Sequence, residues 1–136
     1  MGAVFVTVRL SNATDLEMER QGIPGANKVR FWEGEALVDT GATKSAISPE
    51  IAQRLGVGIY REAIGHLADG TAVPCGVCSG ILFQIDGRET LEDAYVMGDS
   101  VLIGQTVLES TDLLVDCVKQ RVIPNPKHPE GPRFRL

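Results

Sequence analysis

Residues 36–43 read ALVDTGAT and combine a short apolar run with a tight turn that carries one carboxylate. Leu37 and Val38 favour a strand, whereas Asp and Gly are depleted in strands and common in turns, so we predict that the strand ends at Asp39. Gly41 would let a second backbone or a substrate approach closely. A plain loop cap is the alternative role for Asp39, and the rest of the chain has to decide between a catalytic and a structural carboxylate.

The composition sets the class of protein and excludes several partners. The chain has 136 residues, of which 43% are hydrophobic, and this fits one globular domain. Thirteen basic and eighteen acidic side chains give a net charge of −5, so we expect no nucleic-acid partner. No apolar run reaches the roughly 18 residues of a membrane helix, and the N-terminus has no basic region or small-residue cleavage site. An odd number of cysteines, three, favours reduced thiols. We expect a cytoplasmic protein without a membrane partner.

The first half of the chain alternates strands with turn signals. Apolar residues at every second position of 4–10 predict a half-buried strand, and the polar stretch 11–28 is predicted to be a loop. Residues 29–32 and 35–38 are predicted to pair as a hairpin, with Asp39 at its exit. A capping Ser48 before a proline and a glutamate predicts a helix that runs to about residue 55.

From Ile59 onward, turn signals recur every ten to fifteen residues between β-prone segments, as in stacked hairpins. The turn pairs are Asp69–Gly70, Ser79–Gly80 and Asp86–Gly87. The predicted later elements are strands at 94–97 and 101–103, a short helix at 105–109, and a hairpin of 113–116 with 121–123. This pattern predicts an all-β fold with one or two short helices. Four of the seven prolines lie between residues 124 and 132, so we predict an extended Pro-rich tail over 125–136 after a domain over 1–124.

Two segments resemble the signatures of the retropepsin-like aspartic proteases. Residues 36–43 are similar to the active-site turn of that family, in which a hydrophobic pair precedes Asp-Thr-Gly-Ala. Residues 101–108 are similar to its second signature, an apolar strand that runs into a glycine, here Gly104, and a short helix. Residues 64–73 lie where the family carries its flap. The resemblance covers about residues 29–124 and implies a small closed β-barrel.

The resemblance implies peptide hydrolysis by two carboxylates that share one proton, one as base on a water and the other as acid on the scissile carbonyl. The triplet Asp-Thr-Gly occurs once in this chain. The second carboxylate would therefore come from a two-fold-related copy, so a homodimer is expected, with a peptide or protein substrate and no metal or organic cofactor. The alternative is a silent domain of the same fold that works as a binding or assembly module.

The resemblance also implies roles for individual residues. Asp39 would be the catalytic acid and base, Thr40 would hydrogen-bond across the axis, and Gly41 would accept the substrate backbone. The residues expected to contact the peptide are Ala42, Thr43, Ala68, Asp69, Gly70 and Ile103. Within this set Ala68, Asp69 and Gly70 would close over the peptide as a lid, and Ile103, with Gly104, would pack beneath the turn.

Two positions depart from the viral members of the family. In those proteins an acid after Asp-Thr-Gly-Ala pairs with an arginine after the second-signature glycine, whereas here the two places hold Thr43 and Gln105. We hypothesise that a neutral hydrogen bond between Thr43 and Gln105 replaces the ion pair. Lys44 brings a cation near the substrate channel and would favour acidic peptides.

Other residues suggest chemistry that the sequence supports less well. Cys75 and Cys78 could supply two ligands of a zinc site. Cys117 and His66 are the only nearby residues that could supply the other two. An offset of three places two strand residues on opposite faces, so buried packing is the preferred interpretation. A phosphoryl-acceptor role for Asp39 would need a parallel sheet with crossover helices, and the chain has too few helices.

Overall fold

The computed structural model describes residues 2–26 and 28–136, and within them it has nine strands and three short helices. In chain order the elements are β1 Val4–Asn12, α1 Ala13–Arg20, β2 Phe31–Val38, β3 Ala46–Ile47, α2 Pro49–Leu55, β4 Ile59–His66, β5 Ala72–Ile85, β6 Arg88–Val96, β7 Leu102–Ile103, α3 Gln105–Thr111, β8 Leu113–Asp116 and β9 Arg121–Pro124. None of these helices has the length and apolar character needed to cross a membrane.

Six strands form a closed barrel. They follow the order β1-β2-β7-β3-β6-β5, and β1 pairs again with β5 to close the ring. Strand β4 pairs with β5 outside the ring as the second arm of a long hairpin, and β8 pairs with β9 as a separate two-stranded sheet. The prediction of an all-β, closed-barrel fold is confirmed.

The barrel interior is filled by alternate residues of its strands. Val8 and Leu10 of β1 are buried, as are Ile81, Phe83 and Ile85 of β5. This spacing of two follows from the pleat, which turns successive side chains to opposite faces. Burial of each such side chain contributes roughly 1.5–3 kcal/mol of hydrophobic free energy. The same interior supports the strands that carry the turn at Asp39.

The prediction of a loop over residues 11–28 is wrong, because β1 continues to Asn12 and α1 follows at once. The Asn12 side chain accepts a hydrogen bond from the Asp15 N–H at 2.9 Å, which caps the helix, and donates to the Leu55 carbonyl at 2.8 Å. Asp15 is buried and accepts from the Arg30 guanidinium at 2.8 and 2.9 Å. Tertiary contacts of polar side chains therefore form a helix that has no apolar periodicity.

The predicted hairpin between residues 29–32 and 35–38 is also wrong. Strand β2 runs without a turn through Gly34 and pairs with β1 along its whole length. A Cβ atom on Gly34 would lie 2.6 Å from the Trp32 ring, so this glycine makes room for an aromatic side chain. The Ser79–Gly80 pair is likewise no turn but lies in β5 at a register shift between Cys78 and Ile81.

Other local predictions are confirmed. The Ser48 hydroxyl caps α2 by accepting from the Ile51 N–H, and Gly56 ends the helix with φ of 70°. Asp86 and Gly87 have φ of 51° and 75°, as a two-residue hairpin turn between β5 and β6 requires. The hairpin of β8 and β9 forms as predicted.

Beyond Pro124 the described residues contain no further helix or strand. The first part of this segment is nevertheless bonded to the barrel: Asn125 and His128 both contact the Asp112 carboxylate, and the buried Arg88 donates to the His128 carbonyl. The domain boundary at residue 124 remains a prediction.

Candidate active site

The two sequence signatures meet along one strand pair. Strands β2 and β7 run parallel, with Leu37 opposite Leu102 and Val38 opposite Ile103. The pairing continues past the end of β2, because the Asp39 N–H donates to the Ile103 carbonyl at 2.9 Å. The main chain of Asp39 is thus held against β7, and its side-chain carboxylate takes no part in this bond.

The turn after β2 is built around the Asp39 side chain. Its Oδ1 accepts the Gly41 N–H at 2.9 Å, and its main-chain carbonyl accepts the Ala42 N–H at 3.2 Å. Such a local bond is how aspartate forms a turn from its own side chain. Asp39 is half-buried and Thr40 and Gly41 are exposed. Within residues 2–26 and 28–136 no donor bonds to the second oxygen, Oδ2, which is therefore available to a substrate, a water or a second chain.

The underside of the turn rests on the start of α3. The main-chain N–H groups of Gln105 and Thr106 donate to the carbonyls of Ala42 and Thr43 at 2.8 and 3.0 Å. A Cβ atom on Gly104 would lie 2.5 Å from the Lys44 carbonyl oxygen, so only glycine fits this crossing. These contacts make the turn and the helix one unit.

The buried Ser45 hydroxyl accepts the Gly104 N–H at 2.9 Å and completes this support. Sequence reasoning missed Ser45, although a small polar residue directly before an apolar strand was a signal that could have been followed. Buried hydroxyls of this kind nearly always have a partner. Here the partner is the glycine of the second signature.

The hypothesised hydrogen bond between the side chains of Thr43 and Gln105 does not form among the described residues. The Gln105 amide instead donates to the Thr40 carbonyl. The physical reason is that the turn leaves this carbonyl without a main-chain partner, and a main-chain oxygen is a strong acceptor. Gln105 thereby holds the apex of the turn, next to Asp39.

The flap predicted between residues 64 and 73 is the end of the β4–β5 hairpin. At its tip the Leu67 N–H donates to the Thr71 carbonyl at 2.9 Å, and Asp69 Oδ1 accepts the Thr71 N–H at 2.9 Å. Thr71 lowers the pKa of the Asp69 carboxyl, first through its side chain and then through this main-chain N–H. Gly70 has φ of 86°. Ala68, Asp69 and Gly70 are all exposed at the tip.

The predicted site residues lie on three parts of the fold. Residues Asp39 to Thr43 share the turn, and the tip residues lie on a separate hairpin. Ile103 lies directly beneath the turn, but its side chain is buried in the barrel core. The Ile103 carbonyl accepts the Asp39 N–H, so this residue supports the turn through its main chain.

The two cysteines of β5, Cys75 and Cys78, pack in the interior of the protein. Both are buried and free, and the Cys78 thiol donates to the Ala94 carbonyl at 3.5 Å. Burial raises the pKa of this thiol, which disfavours the thiolate that a metal would need. In the described part of the chain no three His, Cys, Asp or Glu side chains are grouped as metal ligands.

Comparison with known proteins agrees with this geometry. A family model described as aspartyl protease matches residues 26–103, which is more than half of the chain. The match includes the turn at Asp39 and the β4–β5 hairpin, and it ends at the last residue of β7. No curated protein matches the chain.

Proposed function

The chain belongs to the retropepsin-like family of aspartyl proteases, and on this premise we propose that it is an endopeptidase that acts as a homodimer. The main support for this proposal is the hydrogen bonding of the Asp39 carboxylate. One oxygen of this half-buried carboxylate is held inside the turn and the other has no partner within the described residues. One such group is half of a proton-sharing pair, and the second half comes from the Asp39 of a partner copy.

The reaction follows from the proximity of two carboxylates. Two acids a few ångströms apart do not both ionise, so at the working pH the pair holds one proton. The ionised Asp39 takes a proton from a water, which attacks the scissile carbonyl. The protonated Asp39 of the partner donates its proton to the carbonyl oxygen. The tetrahedral intermediate collapses when the leaving amine is protonated, and the shared proton is restored.

The neighbouring residues position this pair. The Gly41 N–H orients the Asp39 carboxylate, and its missing side chain leaves room for the peptide backbone. Thr40 is exposed at the apex, where it would bond to the partner's turn, while Gln105 holds its carbonyl from the same chain. Ala42 and Thr43 would line the cleft, and the tip at residues 68–70 would cover the bound peptide and exclude water.

Cleavage of a quenched peptide library, measured against pH with wild type beside Asp39→Asn, tests the proposal. We expect activity that peaks below neutrality, rises with the dimer fraction and is lost in Asp39→Asn, because the amide cannot share a proton. Asp99→Asn, which changes an exposed aspartate in a loop, is the matched control and should keep full activity. A stable dimer that cleaves nothing at any pH would favour the binding or assembly module instead.

A further inference from the structure

The turn at Asp39 also carries a cation that contacts the barrel wall. The Lys44 Nζ donates to Asp93 Oδ1 of β6 at 2.9 Å. The parallel pairing of β3 with β6 sets Ala46 opposite Tyr95, and Lys44 and Asp93 each lie two residues earlier on their chains. The ion pair therefore joins the catalytic turn to the face of β6 that also carries Tyr95. The Lys44 side chain remains 35% exposed.

A second cation lies on the same face of the sheet, in the row of Tyr95, which is two residues along β6 from Asp93. Arg61 of β4 is opposite Val77 of β5, and Val77 is opposite Tyr95. Residues directly opposite in antiparallel strands point to the same face, so Arg61 shares a face with Tyr95 and Asp93, about 10 Å across two strand spacings. Arg61 belongs to the hairpin whose tip is the predicted flap.

Arg61 has no carboxylate partner within hydrogen-bond reach in the described residues. Its Nε donates to the Tyr60 hydroxyl at 3.2 Å and the guanidinium is exposed. The pKa of Arg61 is raised first by this hydrogen bond and more weakly by the charge of Asp93. The pKa of Lys44 is raised chiefly by its hydrogen bond to Asp93. Asp93 thus interacts with a cation of the turn, Lys44, and more weakly with a cation of the β4–β5 hairpin, Arg61.

The charges on this face do not cancel. Among the described residues assigned to this face, two cations, Lys44 and Arg61, accompany one carboxylate, Asp93, which bonds to Lys44. Glu62 points to the opposite face because it follows Arg61 in a strand. Glu92 lies on the far face of β6, where the hydroxyls of Thr90 and Ser110 donate to it at 3.0 and 3.2 Å, and it acts on Lys44 only weakly. Cations therefore outnumber carboxylates among the charged side chains assigned to this face, in a chain whose net charge is −5.

We propose that Lys44 and Arg61 form a subsite that binds an acidic side chain of the substrate, a few residues from the bond that is cleaved. This inference rests on the proposed protease function. The Lys44 ammonium uses one of its three donors on Asp93, and the side chain is 35% exposed, so donors remain for a second carboxylate. A glutamate in the cleft would contact Lys44 from the turn and Arg61 from β4, so binding it would also draw the β4–β5 hairpin toward the turn.

The test compares quenched peptides that are identical except for glutamate or glutamine at one position, scanned across eight positions around the cleavage site. We expect a kcat/KM about fivefold higher for glutamate at one position, which corresponds to one favourable ion pair of roughly 1 kcal/mol. Lys44→Gln and Arg61→Gln should each reduce this ratio toward one. Lys119→Gln, in the remote turn between β8 and β9, is the matched control and should leave it unchanged.

Asp93→Asn separates a subsite from a structural ion pair. If Asp93 competes with the substrate carboxylate for Lys44, its neutralisation raises the ratio of glutamate to glutamine cleavage above that of wild type. If the pair is only structural, Asp93→Asn and Lys44→Gln lower cleavage of both peptides equally, and the proposal is overturned.

A binding measurement tests the subsite separately from the protease function. If wild type cleaves no peptide, the proposed function fails, and fluorescence anisotropy with the labelled glutamate and glutamine peptides still tests the subsite. Tighter binding of the glutamate peptide, lost in Arg61→Gln, supports it. Equal binding of the two peptides overturns it.

Discussion

The main-chain N–H of Asp39 donates to the carbonyl of Ile103 at 2.9 Å. This hydrogen bond connects the turn at Asp39 with the apolar strand that resembles the second signature of the family. This bond uses the main chain only, and asparagine keeps an Oδ1 that can accept the Gly41 N–H, so the turn should tolerate asparagine at position 39. Replacement of the carboxylate should therefore remove activity while the turn keeps its shape, and this makes Asp39→Asn a clean probe.

Gly104→Ala tests whether the crossing beneath the turn needs a glycine. The added Cβ would lie 2.5 Å from the Lys44 carbonyl oxygen and 2.9 Å from that of Ala42, so the main chain of the turn must move. We expect a loss of about 1–3 kcal/mol in the free energy of unfolding and a loss of peptide cleavage. Urea unfolding and the cleavage assay measure both.

Gly58→Ala is the matched control for this substitution. Gly58 has no positive φ, and a Cβ there would meet no atom within 4 Å. Its stability should be equal to that of wild type or higher by about 0.4–1 kcal/mol, because alanine restricts the unfolded chain. Equal behaviour of the two alanine variants would contradict the tight crossing at Gly104.

Ser45→Ala removes the acceptor of the Gly104 N–H. The hydroxyl is buried and the donor would be left without a partner, so we expect about 1–3 kcal/mol less stability in urea unfolding. Ser79→Ala, at an exposed serine in β5, should change stability by less than about 0.5 kcal/mol. A Ser45→Ala variant as stable as the Ser79→Ala variant would show that the contact contributes nothing.

Gln105→Ala tests the support of the turn apex. The loss of the bond to the Thr40 carbonyl costs about 0.5–1.5 kcal/mol at most, since the site is exposed, but it loosens the residue next to Asp39. We expect a several-fold lower kcat with little change in the unfolding midpoint. Thr43→Ala should lower kcat less than Gln105→Ala does, because the Thr43 side chain makes no hydrogen bond among the described residues. Equal losses in both variants would instead restore the hypothesised Thr43–Gln105 pair.

The carboxyl group of Asp112 gives a pH-dependent prediction for the junction of the barrel and the tail. Hydrogen bonds from Asn125 and His128 hold the pKa of this carboxyl below its usual 3.8. The unfolded chain therefore binds this proton at a higher pH than the folded chain. The stabilisation is complete above pH 3.8 and is lost as the pH falls through the lower folded pKa.

Asp112→Asn should lower the thermal midpoint near neutral pH, and the gap to wild type should shrink below pH 3.8. Asparagine tolerates the left-handed φ of 54° at this position, so the backbone is not strained. Asp99→Asn should show no such gap at any pH. A gap for Asp112→Asn that stays constant into strong acid would contradict the assigned hydrogen bonds.

Much of the fold could be predicted because local chemistry and tertiary structure agree. The alternation in β1, the Ser48 cap of α2 and the Asp86–Gly87 turn each have a strong local signal, and each forms as predicted. The turn at Asp39 belongs to the same class, because its own side chain builds it.

The errors arise where a distant partner decides the local structure. Helix α1 depends on the contact of Asp15 with Arg30, and no apolar period marks it in the sequence. The predicted hairpin of residues 29–32 with 35–38 puts Gly34 in a turn, whereas this glycine makes room for the Trp32 ring within β2. Gln105 contacts Thr40 because the fold brings the two together. Spacing along the chain contains none of this information.

The central claim is that two chains share one catalytic pair, and a subunit-mixing experiment tests it most directly. Wild type and Asp39→Asn are mixed at constant total protein, allowed to exchange subunits, and assayed for peptide cleavage. If each active site needs Asp39 from both copies, activity falls as the square of the wild-type fraction, to about one quarter in an equal mixture. Activity that falls only in proportion to the wild-type fraction, to about one half, would mean that each chain acts alone and would contradict the shared pair.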